Sequence, residues 1–203
     1  MLIDIHVHSD NSQCSVMPVS EIIARAKRLG LDGVCITDHD TTNVLAQIDE
    51  GFQSDGLLVL VGMEYTTPQG DFLCYGNVES LVPGLDAPDV FLAVHQVGGA
   101  VVAAHPFRGW RPSDVSVLGD CRLAAIEVVN GRNTDAEDDL AAQLAQLNCK
   151  PCTAGSDAHS FDELGRFPTH FTVDIASRED LVNALNNGYC RPGVGKEALA
   201  SAS

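Results

Sequence analysis

The chain has 203 residues, 45% of them hydrophobic and 20% charged, which is enough for one domain over residues 1–203 with a sizeable core. Its net charge of −16, with three lysines against nine arginines, argues against a long duplex nucleic acid as partner, because such binders present a basic face. No apolar run reaches membrane-spanning length, Met1 leads into a strand-like segment rather than an export signal, and the seven scattered cysteines suit reduced thiols; a cytoplasmic protein without membrane contact is expected.

The first predicted strand is LIDIHVH at 2–8, which carries His6 and His8. Side chains two apart on a strand point to one side, so the two imidazoles project together. A helix is predicted over Pro18–Leu29, with apolar residues at 19, 22, 23, 26 and 29 and Gly30 as its stop. GVCITDH at 33–39 then ends in Asp38 and His39, LLVLVGMEY at 57–65 carries Glu64, and DFLCYG at 71–76 opens on Asp71. A helix over Ala87–Val97 precedes the strand AVVAAHP at 100–106, which ends in His105. AIEVVN at 125–130 leads to a helix over Asp135–Leu147, and PCTAGSDA at 151–158 carries Asp157, followed by His159. HFTVDI at 170–175 reads as an added edge strand, followed by a helix over Ser177–Leu185.

Strands separated by helices imply parallel βα units. Seven such units in 203 residues average about 29 residues each, close to the ~31 of an ordinary (β/α)8 barrel. A doubly wound sheet fits the same alternation. Convergence of polar strand ends from so many strands favours a closed ring, since strands at opposite edges of an open sheet end far apart. The expected architecture is an α/β, TIM-like, distorted barrel with its site at the carboxyl rim.

Five of the seven histidines (6, 8, 39, 105 and 159) fall at predicted strand ends, beside Glu64 and Asp157. A core has little use for such a set, because every ring carries two nitrogens that need partners. A metal ion does have a use for it, and mixed histidine and carboxylate donors suit zinc, manganese or iron without choosing among them. His95, inside a helical run, and His170, at the start of the last strand, read as non-catalytic.

The motifs DIHVHS, ITDHD, GMEY, AAHPFRG, IEVVNGRN and GSDAH occur in that order from Ile3 to about Phe171. Together they resemble the PHP (polymerase and histidinol phosphatase) superfamily. The resemblance implies a distorted (β/α)7 barrel that holds two or three divalent ions and hydrolyses phosphoesters. It also implies that His6, His8, Glu64 and Asp157 hold a first metal, that Glu64 bridges to a second shared with His105, and that His39 and His159 hold a third. Asp38 would orient the site from behind. His159 and His39 would assist departure of the alkoxide if the third position is empty.

Two stretches depart from the commoner pattern. Where many members supply a histidine to the second metal, this chain offers Asp71. In the loop SDNSQCS, Cys14 falls where a histidine often stands and Gln13 where an aspartate often stands, with Asp10 nearby; Cys14 is a candidate third-metal ligand.

Three divalent ions would outweigh the carboxylates of Glu64, Asp71 and Asp157 and an ionised Cys14, so the pocket would attract a small phosphorylated substrate into an otherwise acidic protein. Arg108, Arg132 and Arg166 follow strand ends and are candidates to fork onto phosphate oxygens, Arg108 first among them. Trp110 and Arg111 are candidates for the pocket border. The tetrad CKPC at 149–152 leads into a strand and contains a proline, which argues against a redox pair opening a helix.

The expected reaction is metal-assisted hydrolysis of small phosphate monoesters, of nucleotide, oligonucleotide or histidinol phosphate type. An amidohydrolase-like C–N hydrolase is the alternative enzyme, although Lys27, Lys150 and Lys196 are not at suitable strand ends. A non-catalytic, metal-binding regulatory domain is the alternative outside enzymes.

Overall fold

A computed structural model describes residues 1–193. Its strands and helices run in the order β1 (Leu2–Val7), α1 (Val19–Arg28), β2 (Gly33–Ile36), β3 (Gly51–Phe52), β4 (Leu58–Val61), β5 (Met63–Thr67), β6 (Gly70–Tyr75), α2 (Ala87–Gln96), β7 (Ala100–Ala103), β8 (Leu123–Asn130), α3 (Asp135–Leu147), β9 (Cys152–Gly155), β10 (Thr169–Phe171), α4 (Arg178–Asn186) and β11 (Cys190–Pro192). The four predicted helices all form, each within a residue or so of the expected ends.

Local chemistry explains those ends. Thr134 caps α3 in a reciprocal box with Glu137, and Ser177 caps α4 by accepting from the Asp180 amide. α1 buries Val19, Ile22 and Ala26, the stripe its spacing foretold. No described helix is long and apolar enough to cross a membrane.

The strands form two sheets rather than one ring. One has the order β11-β10-β1-β2-β4-β3, and the other β5-β6-β7-β8-β9. A continuous (β/α)7 ladder does not form, and the reason is local. Gly62 interrupts the run expected as one strand over 57–65, splitting it into β4 and β5. From there the chain turns through Pro68, Gln69 and Gly70 into β6, which pairs antiparallel with β5 and, after α2, with β7, so neither connection is a parallel crossover. The predicted edge strand lies inside its sheet, where β10 pairs antiparallel with both β1 and β11.

The two sheets abut at two seams. At one, Val7 bridges Ala158, and the Asp157 amide donates to the His6 carbonyl at 2.8 Å. At the other, His39 bridges Glu64, and the Glu64 amide donates to the Asp38 carbonyl at 3.1 Å. Between the sheets lie Ile3, Ile5, Leu58, Leu60, Leu73, Tyr75 and Val102, all buried. The Tyr75 hydroxyl spans this core to the Ile5 carbonyl at 2.8 Å. The strand residues are buried on both faces, so burial drives the packing and leaves the strand ends to carry polar groups.

Candidate metal centre

Both seams end in side chains that could ligate a metal ion, and the structure brings them together. His6 and His8 point their Nε2 atoms at Glu64 Oε2 from 3.3 and 3.1 Å, and at Asp157 Oδ1 from 3.5 and 3.3 Å. His39 Nδ1 stands 3.2 Å from the same Glu64 oxygen, and His105 Nε2 stands 2.9 Å from Glu64 Oε1.

The donor atoms gather into three overlapping groups: His6, His8, Glu64 and Asp157; Glu64, Asp71 and His105; and His8, His39 and His159. Glu64 belongs to two of them and His8 to two. His8 is a member of the third group that the sequence reading did not foresee.

Backbone irregularities aim these side chains. The β1–β2 register slips between Asp4 and Val7, and the β8–β9 register slips between Glu127 and Val129. Each slip is a bulge beside a residue of the site, which is where bulges re-aim side chains. His105 and Asp157 have φ of 29° and 51°, backbone that non-glycine residues seldom adopt. Gly155 is required where it stands, because a Cβ there would meet Glu127 Oε1 at 2.3 Å and the His6 Cβ at 2.4 Å.

A second layer holds the first. His6 Nδ1–H donates to Glu127 Oε1 at 2.9 Å, and Glu127 Oε2 accepts from the His105 amide at 2.8 Å and from Asn130 Nδ2 at 2.9 Å. The sequence reading missed Glu127. Its signal was a carboxylate in the middle of an apolar strand, which has to be paired if buried. Asp38 accepts from the Ser9 amide and hydroxyl at 2.7 and 2.6 Å and from the Ser12 hydroxyl at 2.6 Å. It belongs to none of the three groups, and Ser12 Oγ lies 3.4 Å from His8 Nδ1, so Asp38 orients the site rather than facing it.

The arginines divide. Arg108 is buried, and its guanidinium donates to Asp157 Oδ2 at 2.6 Å, Asn130 Oδ1 at 2.6 Å and Asn133 Oδ1 at 3.2 Å. Its Nε and Nη2 are thus engaged with Asp157 and two asparagines, so it holds that carboxylate, while Nη1 makes no hydrogen bond among the described residues. Arg132 lies at the rim, with Nη1 2.8 Å from His159 Nδ1. Arg166 is exposed, and its side chain makes no hydrogen bond or ion pair among the described residues. Arg111 spans Asp71 with Nε and Nη2 at 2.6 and 2.7 Å.

Cys14 is exposed and belongs to none of the three groups; it lines a cleft with Asn11, Ser12, Gln13, His39 and Thr66. Ser9, Ser12 and Ser15 of this loop are bound inward, and the Cys14 sulfur is not gathered with the three donor groups, so the expected sulfur ligand is not placed among them. Asp10 is exposed as well. His95 lies on α2, and His170 pairs with Leu2 at the opposite end of β1 from the site. Cys149 and Cys152 are both free thiols.

Electrostatics sharpen the picture. Burial works to lower His6, but Glu127, Asp157 and Glu64 override it and hold its pKa well above 6.5. Burial works to raise Glu64 and Asp157, and the facing histidines hold both well below the usual carboxylate range. Burial, with His8 nearby, lowers His159 to about 4, and burial lowers His39 as well. Both therefore stand neutral near pH 7, the form in which imidazole ligates a cation.

The residues fit divalent ions. His6 Nε2, His8 Nε2 and Glu64 Oε2 are buried and form no hydrogen bond, although they face one another at 3.1–3.3 Å. Such orphaned atoms are costly unless something occupies the point on which they converge. Imidazole nitrogens and carboxylate oxygens are a donor set for zinc, manganese or iron.

An α/β scaffold that gathers histidines and carboxylates able to hold metal ions at the joined ends of two sheets is the class that fold and site define. The PHP domain profile matches residues 4–149, and the PHP-associated C-terminal profile matches residues 136–190. The chain belongs to the PHP domain family. It is 24% identical over 199 residues to the probable phosphatase YcdX of Escherichia fergusonii, covering 81% of each chain. Its fold is similar to that of PsfC from Pseudomonas syringae, with a TM-score of 0.76 at 21% identity over 99% of this chain and 96% of that one. It is also similar to a candidate metal-dependent phosphoesterase from Bifidobacterium adolescentis, with a TM-score of 0.67 at 19% identity over 92% of this chain and 96% of the other.

Proposed function

We propose that the protein is a metal-dependent phosphoesterase that hydrolyses small phosphate monoesters. The observation that carries this reading is the convergence of the unbonded, buried His6 Nε2, His8 Nε2 and Glu64 Oε2 on one point, with Asp157 beside them. Family membership and the likeness to a probable phosphatase support it.

His6, His8, Glu64 and Asp157 would hold one ion, Glu64, Asp71 and His105 a second, and His8, His39 and His159 a third. Divalent ions held there would supply Lewis-acid polarisation of a phosphoryl oxygen and a water acidic enough to ionise near neutral pH. The chain's own residues do the rest. Glu127 fixes the ring of His6, Asp38 acts through Ser12 on that of His8, and Arg108 and Asn130 fix Asp157, so the donors need no rearrangement when substrate arrives. Arg132, on the rim and half-exposed, is the cation best placed to meet phosphoryl oxygens. The cleft lined by Asn11, Gln13, His39 and Thr66 gives access from solvent.

The −16 background repels a long duplex, while the loaded cluster attracts a single phosphate. Seven free thiols fit a reducing, cytoplasmic setting. The C–N hydrolase reading loses support at the site, because Lys150 spends its amine on the carbonyls of Asp120, Cys121 and Leu123, and Lys27 lies on α1 beside a different cleft, with Met1, Leu31 and Asp32. The test is a phosphate-release screen over nucleoside, sugar and amino-alcohol phosphates with manganese- and zinc-loaded protein. Turnover of monoesters that chelation removes is expected; hydrolysis of amides with phosphate esters untouched would refute the reading.

A further inference from the structure

The segment from His105 to Arg111 ties the rim to the cluster at three points. His105 faces Glu64 at 2.9 Å, Arg108 holds Asp157 at 2.6 Å, and Arg111 spans both oxygens of Asp71. Successive turns stiffen it: the Arg108 amide donates to the His105 carbonyl at 3.0 Å, Arg111 to Arg108 at 3.0 Å, and Ser113 to Pro106 at 2.8 Å. The Gly109 amide is fastened to Glu137 Oε1 at 2.6 Å.

Within this rigid run stands Trp110, the chain's only tryptophan, and its side chain is 74% exposed. The guanidinium carbon of Arg108 lies 5.4 Å from its ring centroid, so the indole is backed by the group that grips Asp157. A ring of this size left in water forgoes a large burial energy. It is held one side chain away from the ligands, on a segment that has little freedom to move it elsewhere. On the other side of the cluster, the residues lining the cleft beside His39 include no Phe, Tyr or Trp.

We propose that Trp110 is a stacking platform for a flat aromatic ring in the leaving group of the substrate, which makes ring-bearing phosphate monoesters the preferred class. The inference rests on the phosphoester reading above. The ring comes from a nucleobase or from an aryl side chain, and both share the planar π-face that an indole accepts.

Because Trp110 is the sole tryptophan, its fluorescence in the metal-loaded full chain reports on this position alone. The probes are a purine nucleoside monophosphate, phenethyl phosphate, glycerol phosphate and inorganic phosphate. Saturable quenching by the ring-bearing esters is expected, with KM values about tenfold below that of glycerol phosphate. Trp110→Ala should erase most of that advantage, and Trp110→Phe should keep part of it, with metal content equal in both. Quenching by the purine ester alone supports the platform and assigns the ring to a nucleobase. Quenching without any hydrolysis supports the platform and rejects the phosphoester reading. Hydrolysis of ring-bearing and ring-free esters alike, without quenching, overturns the platform and leaves that reading standing. A ring preference that survives in Trp110→Ala also overturns it.

Discussion

His6 donates from Nδ1 to Glu127 Oε1 across 2.9 Å, and both side chains are wholly buried. This bond fixes the ring and turns Nε2 toward Glu64 and Asp157, where the nitrogen can face a cation once its proton is released. Glu127→Gln disturbs it twice. It removes the negative charge that supports His6, and it sets an amide nitrogen against the donors of His105 and Asn130. Metal affinity should fall about 10- to 100-fold, and stability by about 1–3 kcal/mol. Equilibrium dialysis and thermal unfolding measure the two effects, and wild-type values for both would show that Glu127 does not position His6.

Arg111 sits where a second ion would approach Asp71. Its guanidinium spans both carboxylate oxygens, with its side chain 34% exposed. A fixed positive charge there opposes a cation held between Glu64, Asp71 and His105. Arg111→Met is expected to tighten retention of the more loosely held ion by about tenfold, as read by metal content after graded dialysis. Weaker retention in the variant would mean that Arg111 instead orients Asp71 for the ion.

Without an ion, a proton on His6 balances the buried carboxylates. Its folded pKa lies well above the unfolded 6.5, so its stabilising contribution is complete below about pH 6.5 and is lost as pH rises through the folded value. Glu64 and Asp157 are held low, and their contribution is lost only as pH falls through their lowered values. The metal-free protein should therefore weaken on the alkaline side, whereas bound metal takes over the role of the proton. The Tm gap between loaded and chelated protein should widen from about pH 6 to about pH 9. A constant or shrinking gap would show that no proton is exchanged for metal.

The histidines were legible because each ends a strand whose apolar run announces burial, and a buried imidazole needs a partner. The end of α1 was legible from Gly30 and the start of α4 from Ser177, whereas the Thr134 cap of α3 was not singled out. The antiparallel pairing of β6 with β5 and β7 was not legible, because alternating apolar runs look alike in parallel and antiparallel sheets. Only the Pro68-Gln69-Gly70 turn, with Gly70 at φ 131°, separates the two. Arg108 was legible as important but not as inward-facing, since its partners Asn130, Asn133 and Asp157 arrive from distant strands and loops. Cys14 was misread for a related reason. The serines around it turn inward to Asp38 and to the carbonyls of His8 and His159, and nothing in a linear motif reports which way the intervening side chain faces.

Cys14→Ser should accordingly leave metal stoichiometry unchanged. Burial, with Glu64 and Asp157 adding to it, raises the thiol above its usual value, so alkylation will be slow, and chelation should not speed it. A thiol that becomes reactive only when metal is stripped would restore it as a ligand.

The most direct test of the central claim is elemental analysis of the purified protein beside phosphate release, for the wild type and for His6→Ala and Asp157→Ala. The account predicts two or three divalent ions per chain in the wild type. In both variants it predicts reduced metal content and loss of monoester hydrolysis, with circular dichroism unchanged. Full metal content together with wild-type turnover in either variant would contradict it.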